Sequence, residues 1–162
     1  MEVEKMVIGV DPGQSGGVAV IGRDRVLKHA IRMPVLQRSK RKVVDSAAIM
    51  QMLRAACDDD LSRIEVVVLE AVSAMPRQGV TSMFNFGRAA GAVEAVALMT
   101  GAPVEWITPR VWKGHYGLGS NKRASLDMAR LKFGESHLWG VLANDGIAEA
   151  ALLALYWMDK RG

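Results

Sequence analysis

The run Glu65–Leu69 (EVVVL) sets three valines and a leucine side by side, with no polar face for solvent to reach. A strand of that kind is covered on both sides, as strands are in sheets flanked by two layers of helix. Lys5–Val10 is a second short run, apolar and β-branched, and reads as another buried central strand. Both runs give way to a carboxylate: VIGV is followed by Asp11, and VVVL by Glu70.

The remaining elements arrange themselves around these two strands. Gly13, Gly16 and Gly17 allow a tight turn into a second strand at Val18–Ile21. The tip Arg23-Asp24-Arg25 separates it from a third at Val26–Met33, so the chain opens with a meander. Gln37–Lys42 reads as a basic loop. Asp45 then starts a helix whose apolar positions Ala48, Ile49, Met52, Leu53 and Ala56 recur at helical spacing. Asp58-Asp59-Asp60 ends that helix. Adjacent side chains diverge, so three acids in a row fit a solvated helix end better than a metal site. After Glu70, a loop at Ser73–Thr81 leads to a long helix from Ser82 to Thr100. Pro103–Ile107 supplies a fifth strand, Asn121–Phe133 a basic helix, and Asn144–Met158 the last helix. Strands first, then strands alternating with helices, predict an α/β fold: a mixed five-stranded sheet with helices on both faces.

Composition narrows the class of protein. A chain of 162 residues without repeats or linker-like segments is expected to form a single domain, residues 1–162. With 50% hydrophobic and 23% charged residues it has the balance of a soluble globular protein. No stretch is apolar enough to span a bilayer, and the N-terminus lacks the apolar core of a signal peptide. A reducing, cytoplasmic setting without membrane contact is therefore expected. The single Cys57 excludes an internal disulfide and a thiolate metal cluster; in the apolar stretch AAC it reads as a small buried hydrophobe. His29, His115 and His137 lack ligand spacing. The net charge of +4 is compatible with an anionic partner without requiring one.

Candidate chemistry lies with four acids. Functional sites of α/β sheets gather at the carboxyl ends of strands, so Asp11 and Glu70 share one mouth if their strands are parallel neighbours. Asp145 and Glu149 lie four residues apart on an otherwise apolar helix and project from one face. Carboxylates at a buried border are costly unless neutralised, and hard divalent cations with oxygen ligands neutralise them well. Two such ions ~3.5–4 Å apart can drive phosphodiester hydrolysis. Each acid also has a plainer reading: Asp11 as a turn anchor in Asp-Pro-Gly, Glu70 as the first solvated residue after a strand, Asp145 as a helix-start acid, and Glu149 as a surface residue. Four plain readings in this order are a poorer account than one shared site.

Three segments resemble, in order, the acidic segments of RuvC-like Holliday junction resolvases: GVDPGQSGGVAV, VVVLEAV and NDGIAEAALLAL. The likeness is greatest to the shorter phage-type and organellar members. PRQGVTSMFNFGRAAGAVEAV resembles the loop and dimer-forming helix that follow the second acid in that family. TPRVWKGHYGL and NKRASLDMARLKFG resemble the stretch before its last acidic helix. The resemblance implies an RNase H-like fold, a homodimer, and Mg²⁺- or Mn²⁺-dependent cleavage of branched DNA such as four-way junctions, flaps and forks. It makes Asp11, Glu70, Asp145 and Glu149 the ligands of two metal ions. Bacterial RuvC proteins usually close the site with two aspartates three residues apart, whereas here an Asp and a Glu lie four apart. Both spacings share a helix face.

Cations suited to phosphate flank the acids. Lys113, Lys122 and Arg123 belong to a basic segment, and the last two open a helix after the turn Gly117–Ser120. Arg38, Lys40 and Arg41 lie in the basic loop, which reads equally well as solvated or as a DNA contact. Arg77 and Gln78 sit in a Pro- and Gly-shaped loop after Glu70, placed to probe a junction. Trp112 is assigned to packing. Gly87, Ala90, Gly91, Glu94 and Ala97 fall near one face of the long helix, and the small residues among them suit either a two-fold interface or packing on its own sheet. Two rival classes remain. GVDPGQSGG also resembles the phosphate loop of actin-like and sugar-kinase ATPases, which need a duplicated domain that this chain is too short to hold. A non-catalytic DNA-binding module is the other, and the presence of all four acids weighs against it.

Overall fold

A computed structural model describes residues 3–162. Five strands form the main sheet: β1 (Met6–Asp11), β2 (Gly17–Gly22), β3 (Leu27–Arg32), β6 (Ile64–Glu70) and β7 (Val104–Ile107). Their order is β3-β2-β1-β6-β7. The meander β1-β2-β3 is antiparallel, whereas β6 and β7 run parallel to β1. Val10 pairs with Leu69, so Asp11 and Glu70 leave adjacent parallel strands at the same edge of the sheet.

Both faces of the sheet are covered. Ile8, Val10, Val67 and Leu69 pack against α1 (Ser46–Ala56) and α2 (Val80–Met99). Val7, Ala19, Val66 and Val68 pack against α5 (Asp145–Asp159) and Trp112 of α3 (Pro109–His115). Helix α4 (Lys122–Phe133) buttresses α5 through Leu126 and Ala129. Helix α5 is buried along nearly its whole length, which explains its run of alanines and leucines.

Two close approaches fix where α5 sits. A side chain on Gly9 would come within 1.9 Å of the Ala150 carbonyl oxygen, so the helix backbone lies directly on β1. At its start, a side chain on Gly146 would meet backbone atoms of Gly16 at 2.5 Å. The glycine turn after Asp11 and the first turn of α5 are thereby locked together.

Several elements differ from the sequence expectation. Gln37–Lys42 is not a loop: Val35–Arg38 (β4) and Arg41–Val44 (β5) form an antiparallel hairpin that turns through Ser39 at φ 57°. The β-branched residues at its base favour strand, and its charged tip disguises it. Pro109–His115 is a helix with proline in its first turn, a position that suits Pro's fixed φ. Helix α2 begins at Val80, two residues before the expected start. Its small residues are divided: Ala97 packs into the protein's own core, while Gly87 and Gly91 are exposed with open space around them. Asp45 caps α1 by accepting from the Ala48 amide at 3.0 Å. Asp58, Asp59 and Asp60 do diverge: Asp58 pairs with Arg63, Asp59 with Arg54, and Asp60 accepts from Ser62. Cys57 and Trp112 are fully buried. Among the described residues no helix is long and apolar enough to cross a membrane.

Candidate active site

The four acids singled out by sequence meet at one end of the sheet. Asp11 and Glu70 arrive on neighbouring strands, and α5, seated on the glycine turn, brings Asp145 and Glu149 over them. Their charges feel one another. Burial, followed by the negative charges of Glu70 and Glu149, pushes the Asp11 carboxyl up from 3.8 to about 7. A hydrogen bond from the Gly13 amide opposes the rise, and Asp145 adds to it. Burial also raises Glu70, offset by its hydrogen bond from Trp112 and by the charge of Lys113.

Basic and polar side chains hold three of the acids apart. The Trp112 indole Nε1 donates to Glu70 Oε2 at 2.9 Å. Lys113 Nζ lies 2.8 Å from Glu149 Oε1, which also accepts from the buried Ser125 hydroxyl at 3.2 Å. Lys122 Nζ lies 3.4 Å from Asp145 Oδ2. No three His, Cys, Asp or Glu side chains among the described residues lie together as a ligand set. The donors are nonetheless all carboxylate oxygens, the set that hard divalent cations take. Mutual repulsion at Asp11 is the strain such a cation relieves.

Of the basic residues picked from sequence, Lys113 and Lys122 stand within the cluster. Arg77, Gln78 and Arg123 do not pair with the acids. Arg77 is exposed with φ 66°, Gln78 accepts from the Met75 amide at 3.3 Å, and Arg123 lies exposed in the first turn of α4. Arg38, Lys40 and Arg41 are exposed at the hairpin tip. Sequence reasoning missed two supports. Trp112 does pack, as expected, yet a buried indole N–H needs a partner, and that need was the available signal for its bond to Glu70. Arg32 Nε donates to Asn144 Oδ1 at 2.6 Å, and Asn144 Nδ2 donates to the Leu138 carbonyl. That chain of bonds fixes the residue just before Asp145, and nothing in the local sequence announces it.

No protein-family model matches the sequence, and no curated protein does. Solved structures do match. A structure of Thermus thermophilus RuvC superposes with a TM-score of 0.61 at 21% identity, over 96% of this chain and 95% of that one. A second, of T. thermophilus RuvC in complex with a Holliday junction substrate, gives 0.61 at 19% identity over the same shares. This chain has the RNase H-like fold of RuvC. The mixed five-stranded sheet with its helices matches that fold.

Proposed function

We propose that the chain is a divalent-metal-dependent endonuclease that cuts four-way and other branched DNA in symmetric pairs, acting as a homodimer. The observation that carries the reading is the convergence on Asp11 of three further carboxylates from two other elements. One of the matched structures is RuvC with a Holliday junction substrate, which agrees with it.

Asp11, Glu70, Asp145 and Glu149 are the residues that would hold Mg²⁺ or Mn²⁺. Metal bound there supplies a Lewis acid for the phosphate and lowers the pKa of the attacking water. The chain's own groups do the positioning. Asp11 and Glu70 are fixed at strand ends, and Trp112 holds one Glu70 oxygen in a single orientation. Lys113 and Lys122 pair with acids in the free protein, and a phosphate at the site offers them a second anionic partner. Exchange of Lys113 and Lys122 onto phosphate would leave Asp145 and Glu149 free to hold metal. Gln78 lines a cleft beside the Asp11 turn, and Arg77 and Arg123 are exposed, where they contact DNA flanking the cut.

A phosphate-loop ATPase reading fares worse, because nucleotide phosphates on the Asp11 turn would meet carboxylates. For the dimer, Val80, Phe84, Gly87, Gly91 and Leu98 form an exposed stripe along α2, with apolar ends and a small-residue centre that permits close helix approach.

The test is cleavage of a synthetic four-way junction with Mg²⁺ by wild type and Asp11→Asn. The reading requires activity in the first and its loss in the second; unchanged cleavage by Asp11→Asn removes it.

A further inference from the structure

A trough runs along α2 on the face of the sheet opposite Lys113 and Lys122. It begins beside the Asp11 turn as a cleft of about 360 Å³ walled by Ser15, Gln78, Ser82 and Asn85. Gln14 and Asn85 also line a second cleft, about 200 Å³, together with Lys42, Val43 and Val44 of the β4–β5 hairpin and Arg88, Ala89 and Ala92 of α2, so its two cations stand on an apolar floor. Among the described residues no carboxylate lines either part. Gln14 Nε2 donates to the Lys42 carbonyl at 2.9 Å, tying the base of the hairpin to the turn that carries Asp11.

Charge distribution says what this trough takes. At the opposite end of the sheet Arg23, Arg25, Lys28 and Arg63 all have carboxylate partners. Arg38, Lys40, Arg41, Lys42 and Arg88 form no ion pair among the described residues. The Arg88 guanidinium rests over the Phe84 ring at 5.7 Å, and Arg88 is exposed. Uncharged hydrogen-bonding side chains followed by free cations suit a phosphodiester backbone, which needs neutral donors along its path and counter-charge to hold it.

We infer that this trough is a backbone channel: it carries the DNA strand away from the acid cluster, with Lys42 and Arg88 gripping its phosphates. The inference rests on the nuclease reading and adds to it a second basic wall. The acids then lie between Lys113 and Lys122 on one side and the hairpin with Arg88 on the other. A strand crossing them is held at both ends, which fixes the scissile phosphate in register. The hairpin becomes a DNA-gripping arm hinged on Gln14.

Binding of a fluorescent four-way junction in Ca²⁺, titrated with salt, tests the channel. Wild type is compared with Lys42→Gln/Arg88→Gln and with Lys160→Gln, a control at the far end of α5. Melting temperature and sedimentation confirm that all three fold and associate alike. The double variant removes two cations from each protomer of the dimer, so it is expected to lose at least roughly 10-fold in affinity and its log–log salt slope to flatten by about 3–4, while the control keeps both. Single methylphosphonates placed along the strand then locate the contact: neutralising the phosphates held in the trough weakens wild type but not the double variant. An unchanged slope with an unchanged interference pattern overturns the channel and leaves the nuclease reading standing. Failure of wild type to bind the junction overturns both.

Discussion

Replacing Asp11 with Asn removes a charge that the metal-free fold tolerates poorly. Its carboxyl is raised from 3.8 to about 7, first by burial and then by Glu70 and Glu149. A group whose folded pKa exceeds its unfolded one costs nothing below the unfolded value. Its penalty grows as pH rises through that interval and levels off above the folded value. The full interval corresponds to roughly 4 kcal/mol at alkaline pH. Asp11 retains some contact with solvent and its neighbours can relax, so about 2 kcal/mol is the working figure. For a chain of this size that is a rise in Tm of roughly 4–8 °C. In EDTA at pH 8, Asp11→Asn should therefore melt higher than wild type. The gap should narrow as pH falls below 7 and close near pH 4. Thermal denaturation of the pair across pH 4–8 reads this directly. A variant that melts lower than wild type at pH 8, or a gap that ignores pH, would refute the claim that the acids crowd Asp11.

Other outcomes follow from the same geometry. Trp112→Phe removes the donor to Glu70, so the Mg²⁺ needed for half-maximal cleavage should rise about 10–100-fold, as for other partners that orient a metal ligand. The acid limb of its pH–rate profile should move to higher pH, because that hydrogen bond opposes the effect of burial on Glu70. Gly146→Ala forces a methyl group against the backbone of Gly16 and should cost about 3 kcal/mol, seen as a large fall in Tm. A Cβ at Gly91 meets nothing in its own protomer and the site is exposed, so Gly91→Arg should fold normally yet sediment as a monomer if α2 is the two-fold contact.

How much of this was legible in the chain depends on distance along it. Asp11 and Glu70 announced themselves because each ends a strand too apolar to lie anywhere but the centre of a sheet. Asp145 and Glu149 were visible as two acids four residues apart in the otherwise apolar first turns of a helix. The supports were not. Trp112 and Glu70 are 42 positions apart, and Arg32 and Asn144 are 112 apart, so only folding brings them together. The hairpin was misread as a loop because four exposed cations at its tip masked the short β-branched strands that form it. The small residues of α2 pointed to a close contact, but helical spacing alone did not separate Ala97, which faces the core, from Gly87 and Gly91, which face out.

The central claim is that these acids cut branched DNA, and a comparison of substrates tests it most directly. Purified protein with Mg²⁺ is given a four-way junction and a linear duplex of the same sequence, and the cut strands are mapped. Nicks are expected at symmetry-related positions in opposing strands of the junction, with the duplex largely spared. Equal cutting of both substrates, or single unpaired nicks in the junction, would contradict it.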